Sequence, residues 1–99
     1  MDTNRLRSII DQEFDRILIS IDREFSSQKF IAQFHKVSPG SYAEGLHEAS
    51  CARVLHSWIA RWYLNGKVLE GRLDKRQIVQ EISINGNKTR NRLWLNRNK

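Results

Sequence analysis

Residues 74–96, Asp74-Lys75-Arg76-Gln77-Ile78-Val79-Gln80-Glu81-Ile82-Ser83-Ile84-Asn85-Gly86-Asn87-Lys88-Thr89-Arg90-Asn91-Arg92-Leu93-Trp94-Leu95-Asn96, admit two folds, and the choice between them sets the architecture of the chain. In the first, Asp74 caps a helix over Lys75–Ile82, with Gln77 as capping-box partner and Ile78, Val79 and Ile82 turned inward. Ser83 to Asn87 then turns, and Lys88 to Asn96 forms a second helix anchored by Leu93 and Trp94. In the second, Asn85-Gly86 is a two-residue type I′ turn joining strands Gln77–Ile84 and Asn87–Leu95. Setting Ile84 opposite Asn87 places Ile82 against Thr89, Glu81 against Arg90 and Ile78 against Leu93. The helical version is favoured, because Lys75 to Glu81 holds good helix formers and a cap, whereas neither strand alternates cleanly.

The helical layout resembles a helix-turn-helix unit, in which a first helix crosses the DNA backbone and a basic second one enters the major groove. Its turn, Ser83-Ile84-Asn85-Gly86-Asn87, is longer than the usual three or four residues, and Arg90 falls where an apolar side chain commonly packs. The strand layout resembles the wing of a winged-helix domain, with the central helix or its neighbour reading DNA and Lys88 and Arg90 near the wing tip. Both present the same cations.

Upstream, Leu6, Ile10, Phe14, Ile17, Ile21 and Phe25 recur at steps of three and four, which predicts a helix from Asp2 to Phe25 capped by Asp2 or Thr3. Ile9, Leu18 and Ile19 widen its stripe beyond one face, so helix 1 is read as packing inward and as a seam for a homodimer. Ser26 or Ser27 can cap a second helix, Gln28 to Val37, burying Phe30, Ile31, Phe34 and Val37. Ser38-Pro39-Gly40-Ser41 reads as a loop. A third helix fits Tyr42 to Leu64, with Trp58 and Trp62 on one face as core anchors and Asn65-Gly66 as its stop.

Charge divides the chain. Residues 1–50 hold six basic and eight acidic residues and residues 51–99 hold eleven and three, so the halves carry −2 and +8. From Lys88 to Lys99 there are five cations and no acid, interleaved with Asn91, Asn96, Asn98 and Trp94. Most of those cations are Arg, whose planar fork suits phosphates and guanine edges, and Asn is an amide that pairs with adenine. A polyanionic partner is the expectation.

Catalytic chemistry is not visible. His47 and Cys51 lie four apart on the expected third helix, but His56 falls around it from them, so no metal set or thiol–base pair is assigned. Asp11, Asp15 and Asp22 read as solvated flanks rather than a magnesium site, and no glycine-rich phosphate loop occurs. A single cysteine excludes an internal disulfide framework, and the absence of a long apolar run, with Asp2 and Arg7 in the opening residues, reads as a cytoplasmic chain.

The expectation is therefore one mainly α domain over 1–99, of helix-turn-helix or winged-helix type, with a C-terminal β-hairpin around Asn85-Gly86 as the alternative. Residues 1–37 supply the N-terminal helices, 42–66 the central helix and 67–99 the basic unit. Its expected role is non-catalytic DNA binding, as a regulator or accessory of DNA transactions, with no cofactor, metal, membrane or small-molecule substrate. Lys75, Arg76, Lys88, Arg90, Arg92 and Arg97 would meet phosphates, and Thr89, Asn91 or Arg92 would touch bases. The alternative is a protein-interaction module using the apolar faces of helices 1 and 3, with RNA binding third.

Overall fold

The apolar stripe from Leu6 to Phe25 does not form one rod. The structure, a computed structural model, describes residues 1–82, 86 and 88–98, with the backbone alone at 81, 82, 88 and 89. It divides the stripe into α1 (Thr3–Asp11), α2 (Phe14–Ile19) and a short strand, β1 (Glu24–Ser26). Asp2 caps α1, its carboxylate accepting from the backbone N–H groups of Asn4 and Arg5. At Glu13 the N–H donates to the Ile10 carbonyl, 2.9 Å away and only three residues back, so the helical phase slips. The slip lets Leu6, Ile9, Ile10, Phe14, Ile17, Leu18 and Ile21 all be buried within this chain, while Ile19 stays exposed. The breadth that suggested a dimer seam on helix 1 is thus covered internally. Glu13 also fixes the bend from outside, accepting from the hydroxyls of Ser38 at 2.8 Å and Ser41 at 3.2 Å.

The second helix forms as its spacing predicts: α3 (Ser27–Val37) starts where the Ser26 hydroxyl accepts from the Lys29 N–H. Phe30 and Phe34 are fully buried. Phe30 is the centre of the core, with ring centroids 6.0 Å from Phe14, 6.0 Å from Phe25 and 6.3 Å from Tyr63.

Ser38 to Ser41 is a joint rather than a loop. Proline lacks only an N–H that the first turn of a helix leaves unbonded anyway, so Pro39 opens α4 (Pro39–Ala49). The helix expected over 42–64 is two helices, because Ser50 takes the left-handed conformation, φ +77°, after α4. The break allows close approach at Gly45, where a Cβ would stand 3.4 Å from the Leu55 side chain. His47 and Cys51, read as neighbours on one helix, are separated by this break.

A second rod follows: α5 (Ala52–Trp58), a π turn (Ile59–Tyr63) and α6 (Leu64–Leu69). It runs through Gly66 and stops at Gly71, φ +80°, where Arg72 N–H bonds the Lys67 carbonyl at 2.9 Å and Gly71 N–H bonds that of Val68 at 3.0 Å. The π turn lengthens one helical repeat. Beyond Leu55, Trp58 and Ile59 the core therefore takes Tyr63 and Leu64, and Trp62, expected beside Trp58, is 65% exposed.

The helical reading of residues 75–96 is corrected. They form β2 (Leu73–Ile82) and β3 (Lys88–Asn96), an antiparallel hairpin, with β1 on the other side of β3 in the order β1-β3-β2. Burial decides it: Phe25 pairs with Trp94, and both are packed into the core with Leu73. Register is pinned at that base. Leu73 stands opposite Asn96, a bulge sets Arg76 and Gln77 against Leu93, and Ile82 then faces Lys88, one residue off the pairing with Thr89 that a two-residue turn implies. Ile84, Asn85 and Asn87, on which that turn was placed, lie outside the described residues. The result is a small, mainly helical domain with a three-stranded antiparallel sheet. Among the described residues no helix is long and apolar enough to cross a membrane.

Candidate nucleic-acid interface

The hairpin sorts its charges by face. Directly opposed residues of an antiparallel pair point to the same side. Lys75 opposite Trp94, Ile78 opposite Arg92 and Gln80 opposite Arg90 therefore define one face; its base, at Trp94, is packed into the core, and its outer part carries Lys75, Arg90 and Arg92 and no acid among the described residues. Lys75 and Arg90 are exposed and have no carboxylate within 4.0 Å among the described residues. Arg92 is half-buried and donates to the Arg76 carbonyl at 2.7 Å, which the bulge turns out of the regular ladder.

The other residues expected to meet DNA are engaged elsewhere. Arg76 Nε lies 3.4 Å from Glu24 and Arg97 Nε 3.7 Å from Asp74. Asn91 donates its side-chain amide to Gln28 Oε1 at 3.3 Å, which ties it to α3. The side chains of Lys88 and Thr89 lie outside the described residues. Of the eight expected residues, the structure brings Lys75, Arg90 and Arg92 together and sets Arg76 and Arg97 against acids.

A second cationic surface was missed. On the rod over 52–69, Arg53, Ser57 and Arg61 fall at four-residue steps and are exposed, and Trp62 stands beside them. With Met1, Val54 and Trp58 they line an open groove of about 390 Å³. Neither arginine has a carboxylate within 4.0 Å among the described residues. The signal was present in the sequence, since residues 52–69 contain no Asp or Glu at all.

Two polar clusters hold the helices around these surfaces. Buried Lys67 pairs with Asp11 at 2.8 Å and Glu70 at 3.3 Å, its ammonium 4.9 Å from the centre of the Phe14 ring. The Tyr63 hydroxyl donates to Asp11 at 2.6 Å, and Arg72 pairs with Asp15. Burial first, then the bond to Asp11 and its charge, hold the Tyr63 phenol far above its ordinary range. In the second cluster the His35 ring stacks on Tyr42 at 4.2 Å, and the Tyr42 hydroxyl lies 2.6 Å from His56 Nε2. Burial, then the charge of His35, lowers the His56 pKa. Among the described residues no three His, Cys, Asp or Glu side chains are placed to hold a metal ion.

Compared with family models, curated proteins and solved structures, the chain matches none.

Proposed function

We propose that this chain is a non-catalytic duplex-DNA-binding module of winged-helix type, with the hairpin β2–β3 as its wing. The observation that carries the proposal is the hairpin face on which Lys75, Arg90 and Arg92 lie together with no acid between them. Supporting it, helices precede a short β1, helices follow, and a C-terminal hairpin closes the sheet in the order β1-β3-β2, which is how a winged-helix domain is laid out. Binding is driven by release of phosphate counterions to these cations, as suits a regulator or accessory of DNA transactions. The rival role in protein interaction has less surface than the sequence promised, since the apolar face of helix 1 is inside the core.

The test is fluorescence anisotropy of labelled duplex DNA, with structured RNA as a second probe, across a salt series. Lys75→Ala with Arg90→Ala is expected to weaken duplex binding and to flatten the slope of log K against log salt by about 0.9 for each phosphate no longer neutralised. Circular dichroism should be unchanged, because both side chains are exposed. Duplex affinity and slope unaltered by this pair reject the proposal, and preference for structured RNA moves it to the third role.

A further inference from the structure

The groove on the rod over 52–69 joins an apolar part and a cationic rim. Its apolar part contains the buried Trp58, the partly exposed Val54 and the prominent Trp62, and its rim holds Arg53 and Arg61 without an acid partner among the described residues. A ligand that satisfies both must carry negative charge and a flat apolar body. The groove is open, about 390 Å³, so the Trp62 ring, 65% exposed, is accessible to a ligand. We propose that this groove takes an unstacked nucleotide of single-stranded nucleic acid, with the base against the Trp62 indole and adjoining phosphates on Arg53 and Arg61. Base–aromatic stacking beside a cationic track is how single strands are held without sequence preference.

A second copy of the chain fits this face poorly. A two-fold contact sets the same patch against itself, and here it would gather two copies of Arg53 and Arg61 into one interface with no carboxylate from residues 52–69 to offset them. An anionic membrane suits the charge, but the exposed apolar side chains lining the groove are Met1, Val54 and Trp62, too few for a broad apolar face. The proposal uses none of the hairpin residues, and because a winged-helix domain also offers the rod over 52–69 to duplex DNA, it requires that Trp62→Ala weaken oligothymidylate binding more than duplex binding.

Its test uses anisotropy of a labelled short oligothymidylate and of a blunt duplex with the full chain. The variants are Trp62→Ala, the pair Arg53→Gln with Arg61→Gln, and the hairpin pair Lys75→Ala with Arg90→Ala. Trp62→Ala is expected to weaken oligothymidylate binding roughly 5- to 150-fold, the range for removal of one stacking platform. The paired Gln variant should reduce the salt slope on the single strand by about 1.4, which is 0.7 for each of two phosphates. The hairpin pair should leave oligothymidylate affinity within about twofold of the parent, as expected for separate sites. A wild type that binds no oligothymidylate overturns the proposal, as does a Trp62→Ala variant that binds it as tightly as the parent. So does Trp62-dependent binding that appears on phosphatidylserine vesicles and not on the oligonucleotide, or a wild-type dimer in sedimentation that Trp62→Ala splits. Failure of the duplex proposal is read separately, from the hairpin pair on the duplex.

Discussion

Trp94 donates its indole N–H to the Ser27 hydroxyl at 2.8 Å, and both side chains are buried, so the C-terminal part of β3 is bonded to the first turn of α3. Ser27→Ala would leave a buried donor without its acceptor, at a cost of about 1–3 kcal/mol. Adding Trp94→Phe removes that orphaned donor, so the double variant should be more stable than the sum of the two single changes implies. Urea unfolding of the four proteins measures it.

Lys67 is 5% exposed, and Asp11 is the nearer of its two carboxylates. Asp11→Ala strips an acceptor from both Lys67 and Tyr63, and with Glu70 still at 3.3 Å the expected destabilisation is about 2–3 kcal/mol, below the full cost of an orphaned buried charge. Lys67→Met should cost less than about 1 kcal/mol, since the stem's volume is kept and Asp11 can be hydrated. Equal destabilisation in the two variants would contradict this asymmetry.

Two groups give opposite pH slopes. The His56 pKa is lower in the folded chain than in the unfolded one, so the unfolded chain takes up the proton first. The stability tied to this group is complete above about pH 6.5 and is lost as pH falls below it. Tyr63 is raised, so the unfolded chain loses its phenolic proton first, and stability falls as pH rises beyond about 10. Unfolding free energies of the parent, His56→Gln and Tyr63→Phe over pH 5.5 to 11 check both signs. His56→Gln should flatten the acid limb, and Tyr63→Phe the alkaline one.

Arg76 is held by Glu24, in the acidic half of the chain, at 3.4 Å with both groups about half exposed. Releasing it should help duplex binding. Glu24→Gln is expected to raise affinity in low salt and to steepen the salt slope by up to about 0.9, the increment for one more neutralised phosphate. Stability should change by less than about 1 kcal/mol, as for an exposed pair. An unchanged slope would exclude Arg76 from the interface.

Much of the core was legible from spacing. Leu6, Ile10, Phe14, Ile17, Phe30 and Phe34 were placed inside by their periodicity, and they are. The cap on α3 was legible as Ser26 or Ser27, and Ser26 fills it. What could not be read was decided by partners distant in sequence. A strand as short as Glu24–Ser26 has no pattern of its own and exists because Trp94 and its neighbours pair with it. The bend at Glu13 depends on hydroxyls twenty-five and more residues away. For residues 75–82, good helix formers lost to the sheet because Leu73 and Trp94 bury their side chains only in an extended pairing. The charge asymmetry pointed to the hairpin, but its division between two faces required the register. The acid-free stretch from Ala52 to Leu69 was there to be counted, and the π turn that turns Trp62 outward was not.

That turn sets the orientation of one indole between two residues, Ile59 and Tyr63, that stay in the interior. A helix with one residue too many can lose it and return to ordinary pitch, while Leu55 before it and Leu64 after it keep their seats. Sequence drift between Ile59 and Tyr63 can therefore re-aim Trp62 without dismantling the interior beneath it.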